Sequence, residues 1–365
     1  MLSMLRNMTD KFTGRGEASI AVPSLDGALK PNRALDQAQT LFDCEAPEDL
    51  ATDGRTLYLA DGNKLTQIVS DKPVTIREFD QPISALACCP DGAIALALAG
   101  REVRIYAAPT DPDPKLVFSG KALNCVNALS SASDGALIAT NGTASHAAGD
   151  WVWDLMERGK SGTVLRLDLQ SKAITVITDR LEYAFGAATQ NGSTLVSESW
   201  RHRLVSVAPN GKRQIVLNHL PVYPSRLTAA IGGGWWMTAF TSRTQLVEFV
   251  LREPNYRKRM MAEIDPDHWI APRLASGHSM QEAIQGAHVT MMGVIKPWAP
   301  PRSYGLIVRL DEAAQPMFSL HSRFDGANHG IVSAVEHNRA LYILAKGPRR
   351  ILRLSLDQLT GEYIA

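Results

Sequence analysis

The chain has 365 residues, of which 45% are hydrophobic and 21% are charged, so it can bury a sizeable core. Its 38 basic and 37 acidic residues give a net charge of +1, which provides no overall basic surface for nucleic acid or an anionic membrane. We therefore expect a globular protein with neither nucleic acid nor a membrane among its partners.

The first 45 residues are mixed and polar, with Pro23, Gly27 and Pro31 interrupting any regular period. We interpret residues 1–45 as an arm that packs on the main domain. The start lacks the apolar core of about 7–15 residues that marks a secretory signal. No stretch approaches the roughly 18–20 apolar residues that cross a bilayer. The expected location is the cytoplasm, unless processing has already removed a leader.

From Pro47 onward, the chain repeats a turn dipeptide followed by short strands. Copies begin at Asp53-Gly54, Asp91-Gly92 and Asp134-Gly135, which are 38 and 43 residues apart, and a fourth follows at Asn191-Gly192. Self-similarity near this period, with units made of short strands, is typical of β-propeller blades.

Later copies begin at the glycine run 232–234, at Tyr304 and at Asn338. The count predicts an all-β, six-bladed propeller over residues 46–365, or seven blades if an interruption hides one. A closed ring leaves no long exposed sheet edge. Closure requires an early strand to pair beside the C-terminal one.

Four cysteines, Cys44, Cys88, Cys89 and Cys125, are few for this length and show no CxxC spacing. We expect buried, reduced thiols. Strand alternation sends neighbouring side chains to opposite faces, which disfavours a disulfide between the two adjacent cysteines.

Two segments break the repeat. Residues 150–162 read as a short helix on a loop, with Asp150 at its N-cap. Residues 254–302 read as a helical insertion, in which Ser279 and Glu282 form a capping box. Neighbouring blades occupy the sides of each sheet, so we expect the insertion to cover one mouth of the ring as a lid.

Short segments along the chain carry a further signal: DWVWDLMERGKSGTVLRLD (150–168), VSESWRHRLVSV (196–207), LPVYP (220–224), GGGWWMTAF (232–240), YGLIVRLDE (304–312) and VEHNRALYIL (335–344). Together they resemble the strictosidine synthase-like family, a branch of the six-bladed propellers related to SMP-30/gluconolactonase and paraoxonase propellers. The resemblance covers about residues 47–357.

Propellers of this superfamily typically hold a catalytic calcium at the channel mouth, and the resemblance matches Glu48 and Asn127 to two of its ligand positions. Phe185 stands where the family has an asparagine. Ser225-Arg226 stands where relatives have Asp-Asn. Because a permanent cation at Arg226 would repel a dication, we expect no cofactor, with calcium as the alternative.

A second active-site pattern, that of the plant strictosidine synthases, is also incomplete in this chain. Plant strictosidine synthases use a glutamate four residues before the Glu-His pair of the last blade for a Pictet–Spengler condensation. That pair matches Glu336-His337 here, and Val332 stands four residues earlier. Since valine cannot transfer protons, we expect this activity to be absent.

The predicted site therefore places Glu48 as an acid/base at the mouth. Asn127, Phe185, Tyr223, Ser225 and Arg226 would surround a substrate. Arg226 would pair with Glu48 or hold a substrate carboxylate or phosphate. Its alternative role is to neutralise Glu48 as a remnant of a lost metal site.

Two histidines are further candidates. His329, in a glycine-flanked loop, is predicted to act as a general base, or else to be a hydrogen-bonded loop residue. His146 is predicted to face the same mouth, with a surface position as the alternative. One of Trp235 and Trp236, which should point to opposite faces of their strand, would line the pocket beside Phe185.

Glu198 and Trp200, with Arg201 and Arg203, are expected to form a structural ion-pair and packing motif between blades.

The leading hypothesis is an enzyme acting on a small organic molecule in this central pocket. It would be a lactone or ester hydrolase, or a metal-independent acid/base enzyme. The alternative is a propeller that binds a small ligand, or serves as a scaffold, without catalysis.

Overall fold

The computed structural model describes residues 21–190, 192–276, 290–291, 294–295, 303–357 and 359. Within these ranges, twenty-four strands form six four-stranded antiparallel sheets, which are the blades of a propeller. The predicted six-bladed fold is confirmed. The first blade consists of β2 (Pro47–Thr52), β3 (Leu57–Asp61), β4 (Lys64–Val69) and β5 (Lys72–Glu78). The second consists of β6 (Ile83–Cys88), β7 (Ile94–Leu98), β8 (Glu102–Tyr106) and β9 (Leu116–Ser119). The third consists of β10 (Val126–Ser131), β11 (Leu137–Asn141), β12 (Gly162–Leu167) and β13 (Ile174–Leu181).

The fourth blade consists of β14 (Ala184–Gln190), β15 (Ser193–Glu198), β16 (Arg203–Val207) and β17 (Arg213–Leu217). The fifth consists of β18 (Val222–Ala229), β19 (Trp235–Ser242), β22 (Gly305–Leu310) and β23 (Pro316–Ser322). A separate two-stranded ribbon pairs β20 (Thr290–Met291) with β21 (Val294–Ile295).

The sixth blade closes the ring. It combines the last three strands, β24 (Ile331–His337), β25 (Ala340–Ala345) and β26 (Arg350–Ser355), with the early strand β1 (Gln39–Asp43) at its outer edge. β1 pairs antiparallel with β26, Gln39 lying opposite Arg353. The predicted closure by an early strand is therefore present, because β1 provides hydrogen-bonding partners for the outer edge of β26.

The Asp-Gly dipeptides form the expected turns between first and second strands. Gly54 and Gly92 both have a φ of 85°, in the left-handed region that glycine adopts without a Cβ clash. In the first copy, Asp53 Oδ1 accepts hydrogen bonds from the backbone N–H groups of Arg55 (2.8 Å) and Thr56 (2.6 Å). The carboxylate thus fixes the turn locally, which explains why the repeat is visible in the sequence.

Apolar side chains from facing sheets fill the space between neighbouring blades. Trp235 and Trp236 point to opposite faces of β19, as predicted, and each packs into a different inter-blade cluster. Neither is among the residues that line the pocket at the ring centre. The prediction that one of them lies beside Phe185 is wrong.

Short helices lie outside the blades: α1 (Ala34–Gln37), α2 (Trp151–Glu157), α3 (Gln245–Arg252) and α4 (Pro254–Glu263). α2 is the helix predicted within residues 150–162, although the Asp150 side chain makes no capping hydrogen bond. The helical segment after β19 begins at Gln245, earlier than the predicted residue 254. The predicted capping box of Ser279 and Glu282 lies outside the described residues.

α2 and the segment after β19 pack together at one end of the ring. Trp153 of α2 meets Trp269 edge to face, with ring centroids 4.5 Å apart. Val250 of α3 and Met260 of α4 join the same hydrophobic cluster as Tyr183. This part of the insertion therefore covers the end of the propeller at which the inner strands begin.

The four cysteines, all within described ranges, are free thiols. In the described part of the chain, no helix has the length and apolar character needed to span a bilayer.

Candidate functional site

All six inner strands carry an irregularity near their N-terminal ends. In each, the register with the second strand shifts, and one or two residues are left without a partner in the ladder. Such β-bulges turn backbone groups and side chains away from the sheet. The residues skipped at the bulges are Glu48, Ser84, Asn127, Phe185 with Gly186, Ser225 with Arg226, and Val332.

The bulged carbonyl groups converge on the guanidinium of Arg226. Its first terminal nitrogen, NH1, donates to the carbonyl oxygens of Glu48 (3.0 Å) and Val332 (3.3 Å). Its second, NH2, donates to those of Ser84 (3.0 Å) and Asn127 (2.6 Å). These four acceptors come from four different blades. Arg226 therefore lies at the centre of the ring.

The guanidinium also contacts one aromatic ring and two carboxylates. Arg226 Cζ lies 5.4 Å from the ring centroid of Phe185, within cation–π distance, and this ring comes from the blade before β18. Arg226 Nε lies 3.1 Å from Asp49 Oδ1, and NH2 lies 3.7 Å from Glu48 Oε1. The predicted pairing with Glu48 exists, but the closer carboxylate is that of Asp49.

Asp49 is a buried anion that sequence reasoning missed. Its side chain accepts hydrogen bonds from the backbone N–H groups of Leu50 (2.9 Å) and Leu86 (2.9 Å) and from the Ser333 hydroxyl (2.8 Å). Burial raises the pKa of Asp49, and the Arg226 guanidinium and these donors oppose that shift. The one sequence signal for Asp49 was its acidic side chain directly after Glu48 in the strand PEDLAT.

This arrangement does not fit the calcium ion that the superfamily implies. Calcium takes six to eight oxygen ligands, whereas here the converging carbonyl oxygens already accept hydrogen bonds from a permanent cation. Phe185 and Arg226 supply no oxygen donor from their side chains. Among the residues that the structure describes, no group of three or more His, Cys, Asp or Glu side chains is arranged to hold a metal.

The same guanidinium is buried, with Arg226 only 3% exposed, so it presents no donor to a substrate. All four of its terminal N–H groups point to main-chain oxygens, and Nε faces Asp49. The hypothesis that Arg226 holds a substrate carboxylate or phosphate is therefore wrong. The geometry matches the alternative in which Arg226 is structural.

A cavity that we call the aromatic pocket lies against Arg226 at this end of the ring. It opens to solvent at its mouth. Five aromatic rings line it, together with two buried and four partly exposed residues. The rings are Trp151, Tyr183, Phe185, Trp200 and Phe240, and the others are Asn127, Val332, Glu48, Ala148, Leu274 and Lys346.

Neighbouring rings support one another. The Tyr183 and Trp200 centroids are 4.3 Å apart, and Trp151 meets Phe240 edge to face at 5.3 Å. The Trp200 indole N–H donates to Asp154 Oδ2 at 2.8 Å, which fixes the ring against α2. These contacts fix the rings against one another and against α2.

One ion pair faces this aromatic wall. Glu48 is hydrogen-bonded to the Lys346 ammonium group, and both side chains are partly exposed. Lys346 follows β25 in the last blade, whereas Glu48 lies on β2, so ring closure brings them together. Sequence reasoning missed Lys346, although a lysine directly after an apolar strand and before Gly347 was a usable signal.

Of the predicted substrate-binding residues, the structure brings Asn127 and Phe185 to the pocket. The Asn127 side chain is largely committed, because its Nδ2 donates to the Ala184 carbonyl oxygen at 3.0 Å. Tyr223 and Ser225 are fully buried and do not line the pocket. Tyr223 packs behind Trp200, and Ser225 Oγ hydrogen-bonds Thr238 Oγ1 at 2.7 Å. Their predicted substrate contacts are wrong.

Neither of the two predicted histidines lines the aromatic pocket, and their roles in catalysis and substrate binding stay predictions. His329 is 5% exposed, with Nδ1 2.6 Å from Ser303 Oγ and Nε2 2.6 Å from the Arg323 carbonyl oxygen. It is the hydrogen-bonded loop residue of the alternative interpretation and does not line the aromatic pocket. His146 Nε2 pairs with Glu157 Oε2 at 2.8 Å, also outside the lining.

The motif around Trp200 differs from its prediction in two respects. Glu198 pairs with Arg203 at 2.6 Å, and these residues lie opposite each other on β15 and β16, so the ion pair is within one blade. Trp200 was assigned to packing alone, yet its indole lines the aromatic pocket. The turn that ends β15 places it there, a position that strand alternation does not predict.

Comparison with known proteins gives relatives over almost the whole chain. The adipocyte plasma membrane-associated protein of Homo sapiens is 25% identical over 370 residues, covering 92% of this chain and 82% of that protein. Its Salmo salar counterpart is 24% identical over 372 residues with the same coverage. No model of a known protein family matches the chain.

Solved structures agree on the fold. A gluconolactonase from Xanthomonas campestris has a TM-score of 0.55 at 15% identity, covering 91% of this chain and 96% of that one. A luciferin-regenerating enzyme has a TM-score of 0.53 at 12% identity, covering 88% and 94%. The predicted resemblance to strictosidine synthase-like propellers and their gluconolactonase relatives is confirmed. The relatives named above are called plasma membrane-associated, so a cytoplasmic location stays a prediction.

Proposed function

We propose that the aromatic pocket binds a small, flat organic ester or lactone, and that Glu48 and Lys346 hydrolyse it without a metal ion. The observation that carries this proposal is the Glu48–Lys346 pair, held against an apolar wall next to the ring centre. Fold similarity to gluconolactonases supports the reaction class by analogy.

The two side chains would have complementary roles. Glu48 would accept a proton from the water that attacks the carbonyl carbon. The Lys346 ammonium has three N–H donors and gives one to Glu48, so others can stabilise the negative oxygen that forms. When the tetrahedral intermediate collapses, the leaving oxygen would take the proton from Glu48. An ester then gives an acid and an alcohol, and a lactone gives a hydroxy acid.

Substrate selection would depend on the rings. Trp151, Phe185 and Phe240 would contact the flat body of the substrate, which favours aryl esters and aryl-substituted lactones over sugar lactones. Arg226 would act only by positioning Glu48, since its donors bind main-chain oxygens.

The test is a panel of aryl esters and lactones incubated with EDTA-treated protein. We expect Glu48→Gln to lower kcat/KM by about 10²–10⁴, the usual contribution of general acid–base catalysis. Lys346→Met should lower kcat more than it raises KM. A matched control is the surface pair of Glu45 and Lys64, 2.9 Å apart, whose variants Glu45→Gln and Lys64→Met should leave turnover unchanged.

Undiminished hydrolysis by Glu48→Gln would sink the proposed mechanism. Turnover that disappears with EDTA and returns with calcium would replace it with metal catalysis. Saturable ligand binding without turnover of any substrate would instead support the non-catalytic alternative.

A further inference from the structure

The segment after α4 contributes one side chain to the aromatic pocket; we call residues 269–276 of this segment the strap. The side chain is that of Leu274, which packs against the hydrophobic cluster containing Trp200, Phe240 and Val332. Phe240 and Val332 are buried, whereas Leu274 is partly exposed. Leu274 therefore lies at the mouth of the pocket rather than at its base.

The start of the strap is anchored on α2. Trp269 is 2% exposed, and its ring meets that of Trp153 edge to face. Its indole N–H donates to the Ile264 carbonyl oxygen at 2.9 Å, and Ala271 is buried in the same hydrophobic cluster. These contacts fix the position at which the strap reaches the end of the ring.

The end of the strap is linked to the last blade by hydrogen bonds between side chains. Ser276 Oγ lies 2.9 Å from Ser303 Oγ, which in turn lies 2.6 Å from His329 Nδ1. His329 is buried in the loop that leads into β24. The strap is therefore held on both sides of Leu274.

Between these two anchors, glycines of the last blade leave room for the strap. A Cβ at Gly347 would overlap the Leu274 carbonyl oxygen, and a Cβ at Gly330 would lie 2.8 Å from that oxygen and 3.1 Å from Leu274 Cβ. The Lys346 N–H donates to the Gly330 carbonyl oxygen at 3.0 Å. The backbone on which Leu274 rests is therefore the one that carries Lys346.

We propose that Leu274 determines substrate specificity by limiting the size of the aryl group that enters the aromatic pocket, and that Gly330 and Gly347 position it there. The inference rests on the proposed binding of a flat ester or lactone, and it adds that a single ring fits better than a fused pair. Because the strap is anchored at both ends against a packed blade, Leu274 cannot move away from a larger ligand without displacing its neighbours.

The kinetic test compares 1-naphthyl acetate with phenyl acetate, as the ratio of their kcat/KM values within each variant. In a hydrophobic pocket, one methylene group changes such discrimination by about 10–200-fold. We expect Leu274→Ala to raise the naphthyl-to-phenyl ratio by about tenfold or more, and Leu274→Phe to lower it by a similar factor. A loss of folded protein would change both rates equally and leave the ratio as it was.

The matched control in the strap is Ile270→Ala. Ile270 is also partly exposed and packs against the same cluster, but it does not line the pocket. Its ratio should stay within about twofold of that of the wild type, which is less than the change of one methylene group in the pocket produces.

A binding measurement separates this inference from the proposed hydrolysis. Acetanilide and N-(1-naphthyl)acetamide have an amide in place of the ester, and calorimetric titration of the full chain gives the ratio of their dissociation constants. We expect this affinity ratio to shift in the same directions as the kinetic one. A wild type that binds both amides but hydrolyses neither ester would refute the proposed hydrolysis, and the affinity ratios of the variants would still decide the role of Leu274.

The glycine contact is tested with Leu274 left in place. Gly347→Ala should displace the strap and shift the affinity ratio toward the naphthyl amide, as Leu274→Ala does. The matched control is Gly149→Ala, because its new Cβ would meet no atom within 4 Å. Affinity ratios of Leu274→Ala and Leu274→Phe that equal that of the wild type, or that shift in the same direction, would overturn the proposal, and so would a wild type and Leu274→Ala that bind neither amide.

Discussion

Replacing Arg226 by methionine should destabilise the whole ring. Methionine keeps much of the side-chain length but removes the donors for four carbonyl oxygens on four blades, and the cation beside Asp49. An unsatisfied buried polar group costs about 1–3 kcal/mol. Loss of one partner from a buried ion pair costs about 3–5 kcal/mol.

These contributions are not additive, because Asp49 keeps three other donors and water can enter the space. We therefore expect the free energy of unfolding to fall by on the order of 5 kcal/mol, which is less than the sum of the lower limits of these two costs over all the affected groups. That is a large share of the total stability of about 5–15 kcal/mol that is typical of folded proteins.

The assay is urea-induced unfolding followed by tryptophan emission. The control is Arg166→Met, which removes an exposed ion pair with Asp134 at 2.8 Å and should cost less than about 1 kcal/mol. If Arg226→Met loses no more stability than Arg166→Met, the central role assigned to the guanidinium is refuted.

Calcium provides an independent check of the same reasoning. Truncation in Arg226→Ala would leave four carbonyl oxygens and the carboxylates of Glu48 and Asp49 around a vacated space, a donor set that suits a hard cation. We expect millimolar calcium to raise the melting temperature of this variant and to leave that of the wild type unchanged. A calcium-dependent rise in the wild type would contradict the assignment.

Three further predictions follow from burial. Gly186→Ala should lower the free energy of unfolding by about 1–3 kcal/mol, because the new Cβ would lie 2.5 Å from the Ser225 carbonyl oxygen on β18. Gly192→Ala is the control for backbone strain, because position 192 has a φ of 76° but its new Cβ would meet only a side-chain atom, at 3.8 Å. Burial lowers the pKa of His321 to about 4, so below about pH 6.5 the unfolded chain binds a proton that the folded chain does not. Lowering the pH from about 6.5 to 4 should therefore reduce the free energy of unfolding of the wild type by roughly 3 kcal/mol more than that of His321→Gln. Urea unfolding curves recorded across this pH range would measure the difference. Burial raises the pKa of the four thiols to about 11 or 12, so a disulfide reagent at pH 8 should modify them slowly until the chain is unfolded.

The blade repeat could be predicted because its determinants are local. Asp53 and Gly54 fix a turn through hydrogen bonds and backbone angles within four residues, and the flanking strands alternate in character. The same holds for α2, whose period and flanking residues lie within one segment. The family resemblance then located the bulged positions Glu48, Asn127, Phe185 and Arg226, although it did not reveal that each bulge turns a carbonyl group or a side chain toward the centre.

The partners at those positions could not be predicted, since they depend on ring closure. Arg226 is 178 residues from Glu48 in sequence and meets it only when the ring closes, with the sixth blade between the fifth and the first. Lys346 reaches Glu48 because the last blade neighbours the first. His329 had the chemistry of a base, but its ring is enclosed by Ser303 and Arg323 and does not reach the pocket.

By itself, then, the sequence determined the strands, their turns and the repeat of about forty residues, because those features depend on neighbours within one blade. Only the tertiary structure decided that a guanidinium takes the centre of the ring, that Trp151 and Trp200 rather than Trp235 and Trp236 line the aromatic pocket, and that Lys346 joins Glu48. The physical reason is that six separate strands deliver these groups to one point, so their meeting depends on how the blades pack.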